Sequence, residues 1–210
     1  MAKNNLILIG GGGHAKACID VINSTDDYHI IGYIDKKETI DNKYKIPYLG
    51  DDSKIESFLH QASFIITIGQ IKSASIRIKL FNYLNSLNAD IATIISKHAV
   101  VSKYANVGRG TIVMHAAIVQ ADVTIGENCI INDRALIEHD VEIGSNCHIS
   151  TGAILNGDVK IGNETFVGSG ATIKHGLKIG DSVVIGFGSV IKEDVINNQT
   201  WVGNPAVQLN

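Results

Sequence analysis

The chain has 210 residues, of which 45% are hydrophobic and 19% are charged, and its formal net charge is −3. A chain of this length can bury a core as one domain or as two small ones. Its charge gives no electrostatic footprint for nucleic acid or an anionic membrane, and no apolar run approaches the ~18 residues of a membrane span. We therefore expect neither partner.

The N-terminal residues lack the charged-then-apolar order of a secretory signal, so we expect a cytoplasmic protein. Three cysteines occur without metal-ligand spacing. An odd number in this arrangement predicts neither a disulfide framework nor a zinc site, and we expect no metal.

The N-terminal part alternates apolar runs with helical patterns. Leu6–Ile9, Ile30–Ile34 and Phe64–Ile68 predict buried parallel strands, and Ala15–Ile22 and Ile76–Leu87 predict helices. The predicted buried face of the second helix consists of Ile76, Leu80, Leu84 and Leu87. This order of elements predicts a small α/β Rossmann-like domain.

Four consecutive glycines, Gly10, Gly11, Gly12 and Gly13, connect the first strand to the first helix. Gly10, Gly12 and Ala15 satisfy the G-x-G-x-x-G/A turn, in which missing side chains let a phosphate approach N–H groups at a helix N-terminus. A dinucleotide domain normally uses two such halves, and about ninety residues hold only one. The turn therefore favours a mononucleotide over NAD.

A six-residue repeat follows. Every sixth residue from Ile95 to Ile191 is aliphatic, and the residue four positions after each is small or β-branched, apart from Leu177. This pattern predicts a parallel β-helix of hexapeptide repeats. Glycines also recur every eighteen residues, so three hexads make one coil of a triangular prism: Gly108, Gly126, Gly144, Gly162 and Gly180. We predict two domains, 1–92 and 93–210.

The outward position beside each aliphatic residue distinguishes three faces. The first face carries Ile112, Ile130, His148, Phe166 and Val184. The second carries Val100, Ile118, Leu136, Ile154, Thr172 and Val190. The third carries Asn106, Thr124, Glu142, Lys160, Lys178 and Ile196. Two faces are mostly apolar and need a partner, either the N-terminal domain or other subunits, and two such faces suit a ring with a threefold axis.

Three short segments stand out along the chain: IGGGGHAK at the end of the first predicted strand, IEHD within the hexapeptide repeats and WVGNPA after them. Together they resemble the bacterial sugar acetyltransferases that include UDP-4-amino-sugar N-acetyltransferases and sialic acid O-acetyltransferases. The resemblance implies a left-handed parallel β-helix assembled as a homotrimer. It also implies that acetyl-CoA binds between neighbouring prisms and that the nucleotide sugar binds the N-terminal domain.

The same resemblance implies site residues. His139 matches the general base of the family's EH(D/E) motif, Asp140 the acidic residue that orients it, and His148 a second histidine that borders the substrate site. The nucleotide-binding positions match Gly10, Gly11, Gly12, Gly13, His14, Asp35 and Gly69.

Stacking of the coils adds a hypothesis about the reaction. His139, Gly157 and His175 occupy one vertical column. The position one coil above His139 is therefore Gly157, which has no side chain. We expect a notch there in which the Gly157 N–H stabilises the tetrahedral oxyanion and the thioester tail lies along the column past His175.

Two Gly-x-Gly pairs stack one coil apart and permit close approach of a pantetheine arm: Gly168, Gly170, Gly186 and Gly188. The alternative is that these glycines only form turns and contact no ligand. Many relatives carry a basic residue after GNPA for the CoA 3′-phosphate, where this chain has Val207. Lys174, Lys178 or Lys192 could serve instead.

These residues predict an acetyl-CoA-dependent N-acetyltransferase that acts on the amine of a nucleotide-linked sugar, of the UDP-4-amino-4,6-dideoxy type, in surface or glycoprotein glycan biosynthesis. Two alternatives stay open. One is an O-acetyltransferase for sialic acid or a related sugar, and the other is a non-catalytic β-helix scaffold.

Overall fold

The computed structural model describes residues 3–71 and 73–209. Its N-terminal unit is a three-stranded parallel sheet with helices, as predicted. The central strand β1 (Asn4–Ile9) pairs with β2 (Tyr28–Ile34) on one side and β3 (Ser63–Ile66) on the other. The helices are α1 (Gly13–Ser24) and α2 (Ser75–Ser86), and two 3₁₀ segments cover Asn42–Tyr44 and Asp52–Phe58.

The predicted buried face of α2 is wrong at its first position, where Arg77 is buried in place of Ile76. Arg77 lies 1% exposed at the position expected for an apolar side chain, and Ile76 is 61% exposed. Arg77 packs inward with Leu80, Phe81 and Leu84, whereas Leu87 follows the end of the helix and is half-buried. Ile76 instead lines a small crevice with Gly10 at the carboxyl ends of the strands.

The third strand also ends earlier than predicted, at Ile66. The Thr67 N–H donates to the Ile9 carbonyl at 2.9 Å, and the Thr67 hydroxyl donates to the Gly10 carbonyl at 2.5 Å. The chain after β3 therefore turns toward the glycine loop instead of extending the sheet.

The C-terminal unit is a triangular prism with three faces, each a sheet of parallel strands, which confirms the predicted β-helix. The first face consists of β4 (Ile94–Ile95), β7 (Ile112–Val113), β10 (Ile130–Ile131), β13 (His148–Ile149), β16 (Phe166–Val167) and β19 (Val184–Ile185). The second face consists of β5 (Val100–Val101), β8 (Ile118–Val119), β11 (Leu136–Ile137), β14 (Ile154–Leu155), β17 (Thr172–Ile173) and β20 (Val190–Ile191).

The third face consists of β6 (Asn106–Val107), β9 (Thr124–Ile125), β12 (Glu142–Ile143), β15 (Lys160–Ile161) and β18 (Lys178–Ile179). A hairpin of β21 (Thr200–Gly203) and β22 (Ala206–Leu209) continues the first face. Among the described residues no helix is both long and apolar enough to cross a membrane. The handedness of the coil stays a prediction.

The two inward registers fill the prism, and nearly all of their members are buried. Ile95 differs, with 38% exposure, because β4 is the edge strand of the first face and no coil precedes it. The glycines at eighteen-residue spacing lie where successive coils touch. A Cβ on Gly126 would lie 2.7 Å from the Gly144 carbonyl carbon, so close stacking requires glycine there.

The N-terminal domain covers the first coils of the first face. Ile94, Ile112 and Ile130 form one apolar cluster with Cys18 and Ile22 of α1. Because this cluster crosses the predicted division between residues 92 and 93, that division stays a proposal.

Among the described residues, none forms such a cover over the second face. Val100 is 64% exposed and Ile118 is 36% exposed, and Leu136 and Ile154 above them are half-buried. Only one of the two predicted apolar faces therefore needs another molecule.

Two edges of the prism matter for the site. We call the edge between the second and third faces the far corner, because in a triangular prism it lies opposite the first face. It contains residues 138–141, 156–159 and 174–177. We call the edge between the first and second faces the glycine corner, which contains residues 168–171 and 186–189.

Candidate active site

His139 lies at the far corner, in contact with its neighbour in the chain. Its Nδ1 lies 2.8 Å from Oδ2 of Asp140, and both side chains are largely exposed. Asp140 has a left-handed backbone conformation, with φ of 62°. A carboxylate accepts the bond, so Nδ1 carries the proton and Nε2 keeps its lone pair. The hydrogen bond from His139 to Asp140 raises the pKa of the imidazole above its ordinary value.

Gly157 lies one coil beyond His139, as the column predicts. A Cβ on Gly157 would lie 2.7 Å from Cε1 and 2.8 Å from Nε2 of His139. The notch predicted for an acyl group is therefore partly filled by the imidazole itself, which lies over the glycine. Within residues 3–71 and 73–209 the Gly157 N–H has no acceptor, whereas its carbonyl accepts from the Gly176 N–H at 3.0 Å.

His175, the next member of the column, is exposed. The far corner thus presents a base with a free lone pair, an adjacent N–H donor and an open surface above them. This arrangement can accept a proton and hold a developing negative charge side by side.

The four glycines of the turn divide into two pairs. A Cβ on Gly10 would collide with Ile68, and one on Gly11 would collide with Thr39 and Tyr33. Gly12 and Gly13 face open space within 4 Å. The first pair is needed for packing, and the second leaves room for a ligand at the start of α1, where no side chain caps the helix.

Asp35 and Gly69 lie beside this turn. Oδ2 of Asp35 accepts from the Gly11 N–H at 2.8 Å, and Oδ1 accepts from the Lys36 N–H at 2.7 Å. The Gly11 N–H is therefore already bonded and not free for a phosphate. The Cβ of His14 lies 3.4 Å from the position that a Cβ on Gly69 would take.

His148 lies on the first face beneath the N-terminal domain and is 6% exposed. Its Nδ1 lies 2.6 Å from the Gln70 carbonyl, its Nε2 lies 3.2 Å from Nδ2 of Asn132, and its ring centroid is 6.4 Å from that of His14. Burial lowers the pKa of His148 to about 4, and burial together with the charges of His148 and Arg77 lowers the pKa of His14 to about 4. Both rings are neutral at pH 7.

The Gly-x-Gly pairs lie at the glycine corner. A Cβ on Gly168 would lie 2.7 Å from the carbonyl carbon of Gly186, and one on Gly186 would lie 2.7 Å from Cγ1 of Val202, so both are needed for stacking. Gly170 and Gly188 have positive φ and open space outside them. These two glycines form part of an accessible surface.

Besides the four glycines of the glycine corner, the predicted site residues form two groups. The nucleotide-binding set and His148 lie where the N-terminal domain meets the first face. His139, Asp140 and Gly157 lie at the far corner, opposite that face. One chain does not bring the two groups together.

A cavity of about 890 Å³ lies along the third face, and its lining includes Lys178, one of the candidates for the CoA 3′-phosphate. Lys160 and Glu142 form an ion pair of 2.9 Å on that face. In the described part of the chain, no cluster of histidine, cysteine and acidic residues is arranged to hold a metal.

Comparison with known proteins finds similarity in both parts of the chain. Residues 5–84 match the model of the PglD N-terminal domain, and residues 122–157 and 158–193 match the bacterial transferase hexapeptide model. The chain joins a PglD-type N-terminal domain to transferase hexapeptide repeats. The resemblance to sugar acetyltransferases predicted from the sequence is confirmed.

A curated relative is the UDP-N-acetylbacillosamine N-acetyltransferase of Bacillus subtilis, 33% identical over 109 residues. That match covers 50% of this chain, and the chain spans about half of the relative's length, 49%. Solved structures with the PglD-type architecture match over nearly the whole chain.

Two of these structures are informative about ligands. The acetyltransferase domain of PglB from Neisseria gonorrhoeae, solved with acetyl coenzyme A, has a TM-score of 0.92 and 29% identity, covering 99% of this chain and 100% of that one. PerB from Caulobacter crescentus, solved with CoA and GDP-perosamine, has a TM-score of 0.91 and 28% identity, covering 100% and 99%.

Sequence reasoning missed several polar residues of this chain. Gln70 and Asn132 hold His148, and Arg77 lies buried beside them. Arg77 could have been noticed as a charged residue within a mostly apolar helical face. His115 is bonded through Nδ1 to Ser96 at 2.6 Å, and its backbone N–H donates to Asp133 at 3.0 Å.

Proposed function

We propose that this protein transfers the acetyl group of acetyl-CoA to the amine of a nucleotide-linked amino sugar, with His139 as the general base. The observation that carries this proposal is the His139–Asp140 pair over Gly157, at a corner open to solvent. The relatives with matching chains are described as acetyltransferases, one solved with CoA and a GDP-linked sugar. We place the reaction in the cytoplasm, where both proposed substrates are available.

In the proposed reaction the amine nitrogen attacks the thioester carbonyl, and Nε2 of His139 takes the proton that the nitrogen loses. The Gly157 N–H donates to the oxyanion of the tetrahedral intermediate. Collapse of that intermediate breaks the C–S bond, and the CoA thiolate takes the proton back from His139. Asp140 keeps Nδ1 protonated and stabilises the imidazolium between the two transfers.

The nucleotide sugar is assigned to the glycine turn. Gly12 and Gly13 leave open space at the start of α1, and Gly10, Gly11, Asp35, Gly69 and His14 fix the turn around it. His148 borders this region. The pantetheine arm is assigned to Gly157 and His175 at the far corner, and to Gly168, Gly170, Gly186 and Gly188 at the glycine corner. Lys174, Lys178 and Lys192 are candidates for the 3′-phosphate, because Val207 offers no charge.

These assignments place ligands at two opposite sides of one prism, so we infer a site shared between protomers of a homotrimer. Packing of the uncovered second face against a neighbour around a threefold axis brings the far corner of one chain toward the N-terminal domain of another. The exposed apolar residues Val100 and Ile118 supply a reason for such packing.

A panel assay tests the function. We expect CoA release with UDP- or GDP-linked 4-amino sugars and not with CMP-sialic acid or free sialic acid. Release with a sialic acid alone would favour the O-acetyltransferase. No release with any acceptor, together with no binding of acetyl-CoA, would favour a scaffold.

Ile118→Asp should dissociate the trimer, because a carboxylate in the packed second face would lose hydration without a partner. The same change at Ile130 or Phe166 of the first face would report on folding instead, because both side chains are buried within their own chain. Light scattering at micromolar concentration measures the result. Thr124→Asp, on the polar third face, is the control and should stay trimeric. A monomeric wild-type protein would contradict the assembly.

Mixed trimers test the shared site. His139→Ala removes the base, and Gly12→Val fills the open space at the turn and raises the KM for the nucleotide sugar. In an equal co-expressed mixture, about a quarter of sites would combine an intact N-terminal domain of one chain with His139 of its neighbour. Activity at low nucleotide-sugar concentration should recover accordingly. Activity no higher than that of the two variants alone would locate the whole site within one chain.

The pH profile of kcat/KM should differ between the wild type and Asp140→Asn. Only neutral His139 accepts a proton, so the rate rises with pH through its pKa, which the bond to Asp140 holds above its ordinary value. Removing that carboxylate lowers the pKa and moves the rising limb to lower pH, with a lower plateau. The substrate amine titrates identically in both assays. Superimposable limbs would show that another group is the base.

A further inference from the structure

Arg77 is a buried arginine at the junction of the two domains. Its Nη1 donates to the carbonyls of Ile66 at 3.1 Å and Ile68 at 2.7 Å. Its Nη2 donates to the carbonyl of Asn128 at 3.0 Å and to Oδ1 of Asn128 at 2.7 Å. One guanidinium therefore joins the end of β3 to a corner of the prism.

No carboxylate in residues 3–71 and 73–209 forms an ion pair with Arg77. Burial lowers the pKa of Arg77 only to about 10, so the side chain remains charged at neutral pH. A buried cation bonded only to neutral groups contributes little to the free energy of folding, because an apolar side chain of similar volume would avoid the loss of hydration. Its role is better sought in the geometry that it imposes.

The segment that Arg77 holds leads directly to His148. Because β3 ends at Ile66, the carbonyl of Ile68 lies outside the sheet and accepts from Arg77. Two residues later, the carbonyl of Gln70 lies 2.6 Å from Nδ1 of His148. The position of that carbonyl, and so the bond to His148, depends on how this short segment is held.

The bond to Gln70 decides which nitrogen of His148 carries the proton. A carbonyl oxygen only accepts, so Nδ1 is the donor. Nε2 accepts from Nδ2 of Asn132 at 3.2 Å. The ring is neutral at pH 7, so Nε2 presents a lone pair and no proton at the border of the proposed sugar site.

We propose that Arg77 is a positioning residue that fixes His148 in the Nδ1–H tautomer by holding the Ile66–Gln70 segment against Asn128. In the free protein Nε2 of His148 accepts from Asn132, and an N–H or O–H group of the bound sugar takes over this lone pair by displacing the Asn132 amide. The effect on sugar binding rests on the proposed function. The tautomer itself does not, since it is a property of the free protein.

Two variants test this role in the intact protein. Arg77→Lys keeps the charge but replaces a planar fork by a single ammonium, which does not reproduce the bonds to both domains. Asn128→Gly removes one acceptor at a position whose φ of 56° suits glycine. Arg109→Lys is the matched control, because Arg109 is an exposed arginine that also connects α2 to the prism.

Nitrogen-15 NMR of the histidine rings distinguishes the two tautomers by the shifts of Nδ1 and Nε2. We expect His148 to be Nδ1–H alone in the wild type and in Arg109→Lys, and a mixture in Arg77→Lys, with a smaller change in Asn128→Gly. The KM for the nucleotide sugar should rise about tenfold in Arg77→Lys, as for loss of one hydrogen bond between neutral groups, with the KM for acetyl-CoA unchanged.

An Nε2–H ring in the wild type, or pure Nδ1–H in both Arg77→Lys and Asn128→Gly, would overturn the proposal. If Arg77→Lys does not fold, Asn128→Gly decides the outcome. If the wild type shows the expected tautomer but transfers no acetyl group, the proposed function fails and the role of Arg77 in fixing His148 stands.

Discussion

Replacing His139 with alanine is expected to lower kcat by about 10²- to 10⁴-fold, or ~3–5 kcal/mol of transition-state stabilisation, because the amine then loses its proton without a positioned base. The fold should survive, since the side chain is largely exposed and, in the described residues, its hydrogen bond is to Asp140. Melting temperature and acetyl-CoA affinity should stay near those of the wild type. Steady-state kinetics at saturating substrates measure the loss.

The matched control is His98→Ala. His98 is exposed on another edge of the same prism, its ring centroid lies 5.4 Å from that of His115, and no carboxylate bonds to it in the described residues. We expect activity close to the wild type. His115 is a poorer control because its ring is bonded to the buried Ser96. A His139→Ala variant within a few-fold of the wild type would remove the base from the mechanism.

Gly157→Ala is expected to lower kcat by about 10²-fold, comparable with loss of an oxyanion donor. The added Cβ would lie 2.7 Å from Cε1 of His139, so the imidazole must leave its place over the glycine. Gly157 is not among the residues with positive φ, so alanine fits the backbone and the fold should persist. The same methyl group narrows access to the Gly157 N–H.

A double-mutant cycle separates the two effects. If Gly157→Ala acts only by displacing His139, the double variant should be no slower than His139→Ala alone. If access to the N–H also matters, the double variant should be slower still. Wild-type activity in Gly157→Ala would contradict both the ring position and the oxyanion assignment.

The hexapeptide pattern predicted the prism well because it is local. Each inward register repeats every six residues, and each coil contacts the next one eighteen residues later. Which outward face the N-terminal domain covers could not be predicted in this way. Ile112 and Ile118 are equally apolar, yet α1 packs against the first and leaves the second exposed.

The glycine turn shows the same limit at the scale of single residues. Four identical residues have two different roles, which depend on Ile68, Thr39 and Tyr33 from other elements. The buried Arg77 was missed because a charged residue in a helical pattern predicts a solvent-facing position. Only the carbonyls of Ile66, Ile68 and Asn128, which are distant in the chain, make its burial tolerable.

The candidate base was predictable because its partners are close in sequence or in the stacking register. Asp140 is the next residue, and Gly157 follows eighteen positions later. The separation of His139 from the glycine turn was not predictable, since it depends on which face carries the N-terminal domain.

The chemical nature of the product tests the central claim most directly. Incubation with acetyl-CoA and a nucleotide-linked 4-amino sugar, followed by NMR of the isolated product, identifies the atom that carries the new acetyl group. We predict an amide at the sugar nitrogen, stable to mild alkali and formed much more slowly by His139→Ala. An alkali-labile ester at a sugar hydroxyl, or no acetylated sugar, would contradict the account.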